Sequence, residues 1–181
     1  MFLNIIRAYS RHGYTLDLGN PSALFSKLHK DGDYLSTGGG LPVTDMAMFS
    51  TIARAKPDLP SWFIIGNAFG LSTCLLADLF PNAIIDVIDA EIEGLNNKTG
   101  SALTRAIAAE SFPNVKLTTG FSPKDLSKAT RLDTYSAAFI DGLHTNEQML
   151  ADFKGILPLL SPASIVVFHD VGFFRMDSAW T

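Results

Sequence analysis

The chain predicts an α/β fold, a mainly parallel sheet with helices on both faces, and three observations carry that prediction. From Trp62 onward, short apolar runs alternate with segments of helical period. The first of these runs, Phe63 to Ile65, has no polar face, the pattern of a strand covered on both sides. The polar residues and glycines collect where the runs end, so the loops carry the chemistry.

Length and composition set the bounds. A chain of 181 residues suffices for one domain with a substantial core and is too short for two. With 47% apolar residues, 18% charged and a formal charge of -4, it is globular and not a basic surface built for nucleic acid. The opening MFLNIIRAYSRHG puts Phe2, Ile5, Ile6 and Tyr9 at helical spacing, but Arg7 interrupts any signal-peptide core. No stretch reaches membrane-spanning length, so a cytoplasmic protein with no membrane partner is expected. The single cysteine, Cys74, forbids an internal disulfide and suits a reducing compartment. Set among Leu75, Leu76 and Leu79, it reads as a core thiol.

Residues 1–41 are expected to form a helical and loop segment packed on a core of residues 42–181. After the first short helix come Gly13, Gly19 and Pro21, then a helical fragment from Ser22 to His29 with Leu24, Phe25 and Leu28 on one side. His12 and His29 have no partner pattern. Asp31, Gly32, Asp33 and then Gly38 to Gly40 mark a loop. Pro42 and Thr44 announce a helix from Thr44 to Lys56, stopped by Pro57, with Met48, Phe49, Ile52 and Ala53 as its core stripe.

The first core strand, Phe63 to Ile65, feeds a turn bracketed by Gly66 and Gly70, and a helix runs on from Ser72. The second strand is Ala83 to Asp89. Its inner Asp86 is an anomaly that periodicity does not explain. A helix from about Thr99 to Glu110 carries Leu103, Ala106 and Ile107, and the third strand, Val115 to Thr119, turns through Gly120, Phe121 and Ser122 into a short helix from Pro123. The fourth strand, Ser136 to Ile140, ends at Asp141. A helix from Asn146 to Leu157 buries Met149, Phe153, Ile156 and Leu157, and Pro158 and Pro162 separate it from the fifth strand, Ile165 to Phe168, which ends at His169 and Asp170.

In an open parallel sheet, ligands bind beyond the carboxyl ends of the strands. Four of the five strands end in chemistry: the glycine turn, Asp89, Asp141, and His169 with Asp170. Asp89 is placed to accept hydrogen bonds from both ribose hydroxyls of an adenosine cofactor. The turn is not G-x-G-x-x-G, since Ala68 stands at the second glycine position, which disfavours a nicotinamide dinucleotide.

Gly66-Asn-Ala-Phe-Gly70-Leu-Ser72, Asp89, Phe139-Ile-Asp141-Gly-Leu-His144 and Phe168-His169-Asp170-Val171 resemble the class I S-adenosylmethionine-dependent methyltransferases, which have a Rossmann-like three-layer fold. Within that class they are most similar to the small-molecule O-methyltransferases whose fourth and fifth strands end in I-D-G-x-H and F-H-D. The resemblance covers about Thr44 to Val171. It implies that Gly66, Asn67 and Gly70 lie against the methionine part of S-adenosylmethionine, that Asp89 holds the ribose, and that Gly120, Phe121 and Ser122 lie near the adenine. Ser72, Ala90 and Asp141 complete the implied cofactor set.

There are two departures. The family carries an acid two positions before the first glycine of the turn, and here that position is Ile64. The family also continues past the fifth strand with another helix and an antiparallel hairpin, so this sheet is expected to be incomplete. Phe173, Phe174, Met176 and Trp180 are then expected to cover a bare sheet edge or pack on a second copy, giving a homo-oligomer.

Methyl transfer to oxygen asks the protein to position the partners and help a hydroxyl lose its proton. Asp141 and Asp170 can hold a hard cation such as magnesium. His169 is a third candidate ligand, or else it orients Asp170, because imidazole suits softer metals. His144 is the candidate general base. The bland readings are turn capping for Asp141 and Asp170, a solvated strand end for Asp89 and a backbone-bonded loop histidine for His144. Together these features predict metal-assisted methyl transfer to a small hydroxylated molecule. The alternatives are a catalytically inactive binding or assembly module of the same fold, and a nucleotide-binding Rossmann protein.

Overall fold

Two sheets organise the chain. The computed structural model describes residues 2–17, 27–35, 41–92 and 97–176. In order, the elements are α1 (Leu3–Arg11), β1 (Tyr14–Asp17), β2 (Lys27–Lys30), β3 (Asp33–Leu35), α2 (Val43–Ala55), β4 (Ser61–Ile65), α3 (Leu71–Leu79), β5 (Ile84–Asp89), α4 (Asn97–Ser111), β6 (Val115–Thr119), α5 (Leu126–Ala129), β7 (Tyr135–Ile140), α6 (Asn146–Ile156) and β8 (Leu160–Phe168). The larger sheet has strand order β6-β5-β4-β7-β8, and every neighbouring pair in it is parallel.

Strand β4 is central and buried along its whole length. Its alternation sorts the core into two layers. Trp62 and Ile64 face one side with Ile85, Val87, Ala137 and Phe139, where α1 to α4 supply Tyr9, Phe49, Leu75, Leu76 and Ile107. Phe63 and Ile65 face the other side with Ile88, Ala138 and Ile140, where α5 and α6 supply Leu126, Met149 and Ile156. Helices therefore cover both faces, as the doubly apolar strands require. Cys74 is fully buried, and burial pushes its thiol up to about 12, so it is an inert core group.

The smaller sheet, β1-β2-β3, is antiparallel. The expected helix from Ser22 to His29 is corrected here: Lys27 to His29 lie in β2, and residues 22–26, with Leu24 and Phe25, fall outside the described residues. Asp31 and Gly32, at φ 53° and 87°, form the two-residue turn from β2 to β3. Two consecutive left-handed residues match the twist of a hairpin, and that turn pairs Lys30 with Asp33. Tyr14, Leu16 and Leu28 then face the first core layer.

Three helix and tail assignments also change. In α2 it is Met46, Phe49 and Ser50 that are buried, while Met48 points outward. In α6 the buried side is Met149, Asp152 and Ile156, and Leu157 is 51% exposed because the chain leaves the helix there for a single 3-10 turn. In the tail, Met176 joins the second core layer and Phe173 is 72% exposed; Trp180 lies outside the described residues.

Strand β8 starts earlier than expected, at Leu160. A register shift between Tyr135 and Ala137 lets Pro162 sit in it, which an edge strand tolerates. Among the described residues, no helix is long and apolar enough to cross a membrane.

The structure explains Asp86. Its carboxylate accepts hydrogen bonds from Arg131 N (2.8 Å), Arg131 Nε (2.5 Å) and the Tyr135 hydroxyl. Arg131 also donates to the carbonyls of Ile85 and Asn114. The buried acid thus fastens the α5–β7 loop beneath the sheet, with its charge paired.

Candidate active site at the carboxyl edge of the sheet

The strand order reverses at β4, whose neighbours β5 and β7 are reached by crossovers to opposite sides. A cleft opens at such a switch point. The first loop residue after four of the five strands stays pinned to the neighbouring strand, with Gly66 N bonded to Ile88 O, Gly120 N to Asp89 O, Asp141 N to Ile65 O, and His169 N to Ile140 O, all between 2.8 and 3.0 Å. Four strand ends are thereby held level.

Gly66 has φ 92°, and a Cβ there would stand 1.9 Å from the carbonyl oxygen of Asp141. Only glycine allows this approach. Gly70, at φ 81°, caps α3, and a Cβ there would lie 2.2 Å from Thr104 Oγ1 on α4. The turn is seated against helix and strand end alike.

Asp89 braces this turn. Its Oδ2 accepts from Asn67 N (2.7 Å) and Ala68 N (3.2 Å), and its Oδ1 accepts from Glu91 N (2.7 Å). The Asn67 side chain is turned inward, donating to Ala68 O and Thr104 Oγ1 and accepting from Thr73 Oγ1. Only the Asn67 backbone is therefore left to line the turn. Ser72 is buried in the first turn of α3, and Ala90 is half-buried beside Asp89.

Sequence reasoning missed Glu91, whose Oε1 accepts from Thr119 Oγ1 (2.9 Å) and Arg105 Nη2 (3.1 Å). Burial works against its charge, but these partners outweigh burial and hold the carboxyl below its usual value. At the end of β6, Gly120 is followed by Phe121, half-exposed, whose N–H donates to Asp125 Oδ2 (3.0 Å), and by Ser122, whose Oγ is buried.

Beyond β7 and β8 lies a tight acid–histidine group. Asp141 Oδ1 is 2.8 Å from His169 Nδ1 and 3.2 Å from His144 Nε2. Asp170 Oδ2 is 3.4 Å from His169 Nδ1 and 3.8 Å from His144 Nε2. Asp170 adopts the left-handed region, at φ 55°. His144 stacks on Phe174, with ring centroids 4.4 Å apart and planes 4° from parallel.

The group has a further member that the sequence reading passed over. Asp45, in the first turn of α2, places Oδ2 3.0 Å from His169 Nε2, an ion-pair contact off the hydrogen-bond line. Burial pulls the His169 pKa down, but the hydrogen bond to Asp141, the Asp45 carboxylate beside Nε2 and the charges of Asp141 and Asp170 prevail and push it up to about 10. Burial raises Asp170 and so does the charge of Asp141, against the lowering effect of both histidines.

This is a donor set that could hold a cation. Asp141, His144 and His169 each bring a ligand atom to within 4.8 Å of the others, and Asp170 adds a second carboxylate. Carboxylate oxygens suit a hard ion such as magnesium. Both nitrogens of His169 already face carboxylates, and the nearest is Asp141 rather than Asp170.

A five-stranded parallel sheet of this order, with helices on both faces and a glycine turn after its central strand, is the Rossmann-like methyltransferase fold. Residues 63–171 match the family model described as a methyltransferase domain, and the chain belongs to that family. No curated protein sequence matches it. Among solved structures, the fold is shared with a provisionally named caffeoyl-CoA O-methyltransferase from Staphylococcus aureus, at TM-score 0.61 and 17% identity over 74% of this chain and 60% of that one. An O-methyltransferase from Bacillus cereus in complex with S-adenosylhomocysteine superposes at 0.58 and 18%, over 71% and 56%. One from Streptomyces achromogenes involved in tomaymycin synthesis, in complex with S-adenosylmethionine, does so at 0.59 and 18%, over 71% and 56%. The chain thus spans somewhat over half the length of these relatives.

Proposed function

We propose that this protein transfers a methyl group from S-adenosylmethionine to a hydroxyl of a small molecule, with metal assistance. The observation that carries the reading is the contact of Gly66 with the Asp141 backbone, which sets the glycine turn and the acid–histidine group side by side. Bound S-adenosylmethionine supplies an electrophilic sulfonium methyl. The turn from Gly66 to Gly70 leaves room for close backbone approach, and Asp89 keeps that turn in place while its carboxylate stands on the ribose side. Ile64, fully buried in the core, leaves Asp89 and Asp141 as the acids next to the turn.

Asp141 and Asp170 would hold the cation, which would lower the pKa of the acceptor hydroxyl. His169 orients Asp141 from behind through its Nδ1–H. His144, oriented by Asp141 and by the face of Phe174, takes the hydroxyl proton.

Calorimetry with S-adenosylhomocysteine tests the cofactor reading. Micromolar binding that Asp89→Ala weakens by about a hundredfold is expected, since a charged hydrogen-bonding partner would be lost. Absence of binding at millimolar ligand would defeat it. For the metal, Asp141→Ala should abolish any stimulation by magnesium, and wild-type activity untouched by chelator would remove the cation from the scheme.

A further inference from the structure

Helix α6 carries a buried acid that the mechanism above does not use. Asp152 is 1% exposed, on the same side as Met149 and Ile156, where the helical period calls for an apolar residue. A carboxyl group in such a place costs stability unless it is bonded. Its Oδ1 accepts from Gln148 Nε2 at 2.7 Å, and the same Nε2 donates at 2.9 Å to the carbonyl of Ser122. Both amide hydrogens of Gln148 are committed by these two bonds.

The other carboxyl oxygen, Oδ2, faces the loop after β7, 3.0 Å from where a Cβ on Gly142 would stand. One turn further along, a Cβ on Gly155 would come within 2.4 Å of Pro123 Cβ, so α6 lies directly on the loop after β6. Burial raises the Asp152 carboxyl, with Ser122 and Gln148 drawing it back.

We propose that Asp152, acting through Gln148, is a positioning residue that ties the Gly120–Ser122 loop to the Asp141–Gly142 loop. The physical reason is geometric. The two loops follow strands that are not neighbours, since β5 and β4 stand between β6 and β7. The backbone ladder therefore joins the two strand ends only through β5 and β4, and the loops beyond them share no direct backbone pairing. Helix α6 supplies a direct link: its Gln148 donates to the carbonyl of Ser122 and to the Asp152 carboxylate, whose Oδ2 packs on Gly142. On the reading given under Proposed function, with the adenine placed by the family resemblance against Gly120 to Ser122, these loops flank the adenine and the methyl acceptor, and the link holds the two halves of the site in register.

The test has one readout that does not depend on that reading. Amide hydrogen exchange would follow Phe121 and Asp125 in the first loop and Asp141 and Thr145 in the second, all hydrogen-bonded amides, in ligand-free protein. Asp152→Ala should speed exchange in both loops together by about tenfold, the scale of one lost buried hydrogen bond, and Asp152→Asn, which keeps the Oδ1 acceptor, should restore protection. Gln148→Met, which keeps the length and removes the amide, should reproduce the effect and serves if Asp152→Ala does not fold. Met149→Ala, a cavity on the same helix, controls for general loosening.

The proposal is overturned if exchange rises in only one loop, or if Met149→Ala loosens both loops equally. The second readout is S-adenosylhomocysteine affinity, which should fall about tenfold in Gln148→Met and hold in Met149→Ala. Unchanged affinity in a Gln148→Met protein with loosened loops would overturn the catalytic part. A wild-type protein that binds no S-adenosylhomocysteine defeats the proposed function, whereas the exchange result still decides the bridge.

Discussion

His169 and Asp141 are joined at 2.8 Å between Nδ1 and Oδ1, while the far side of the same imidazole faces Asp45 at 3.0 Å. A ring held between two carboxylates on different elements is a clasp between α2 and the β7–β8 edge. It also spends the histidine on orientation.

That clasp makes stability depend on pH in a definite direction. The His169 pKa is raised from 6.5 to about 10 in the folded protein, so its stabilising contribution is complete below 6.5 and is lost as pH rises towards 10. Melting temperatures measured across that window should fall more steeply for the wild type than for His169→Gln. Parallel curves would show that the ring is not charged in the fold.

Asp45→Asn removes one of the two acids facing that ring. The upper edge of the pH window should move down, because one of the groups that raise His169 is gone. With Asp141 less firmly oriented, turnover should drop about tenfold while S-adenosylhomocysteine affinity stays, as for other residues that orient a metal ligand. Equal losses in both measurements would point to a folding defect instead.

Asp86→Ala should cost about 3 kcal/mol in urea denaturation, since it leaves the Arg131 guanidinium and the Tyr135 hydroxyl without their acceptor. Replacement by a well-packed apolar residue together with Arg131→Met should recover much of that loss. A small effect of Asp86→Ala would mean that water takes over the role of the carboxylate.

Gly66→Ala forces a methyl group towards the Asp141 carbonyl at a backbone of φ 92°. We expect a loss of about 2 kcal/mol or more in stability and the disappearance of cofactor binding. A variant that binds S-adenosylhomocysteine normally would show that the two loops part easily.

Much of this architecture is legible in the chain because it rests on short-range patterns. The run around Phe63 to Ile65 reads as a strand since it has no polar face, and Val115 to Thr119 forms β6 with the bounds that its flanking Pro113, Asn114 and Gly120 suggest. Lys27 to His29 deceived, because three residues carry no period and the hairpin is set by Asp31 and Gly32 downstream. Leu157 deceived differently. It continues the helical spacing, but the helix ends first.

The sequence by itself determined the sheet, its helical layers and the polar character of the strand ends, since period and turn chemistry act between residues close along the chain. Only the tertiary structure decided what those ends do. Asp89 and Asp141 were visible as strand-terminal acids, but the hold of Asp89 on the glycine turn and the clasp of His169 by Asp45 join segments far apart in the chain. The same holds for Asp86, whose partners Arg131 and Tyr135 lie beyond three further elements. Spacing reports which face a residue takes and is silent on which other face meets it, so the partners of a buried charge emerge only when the layers close.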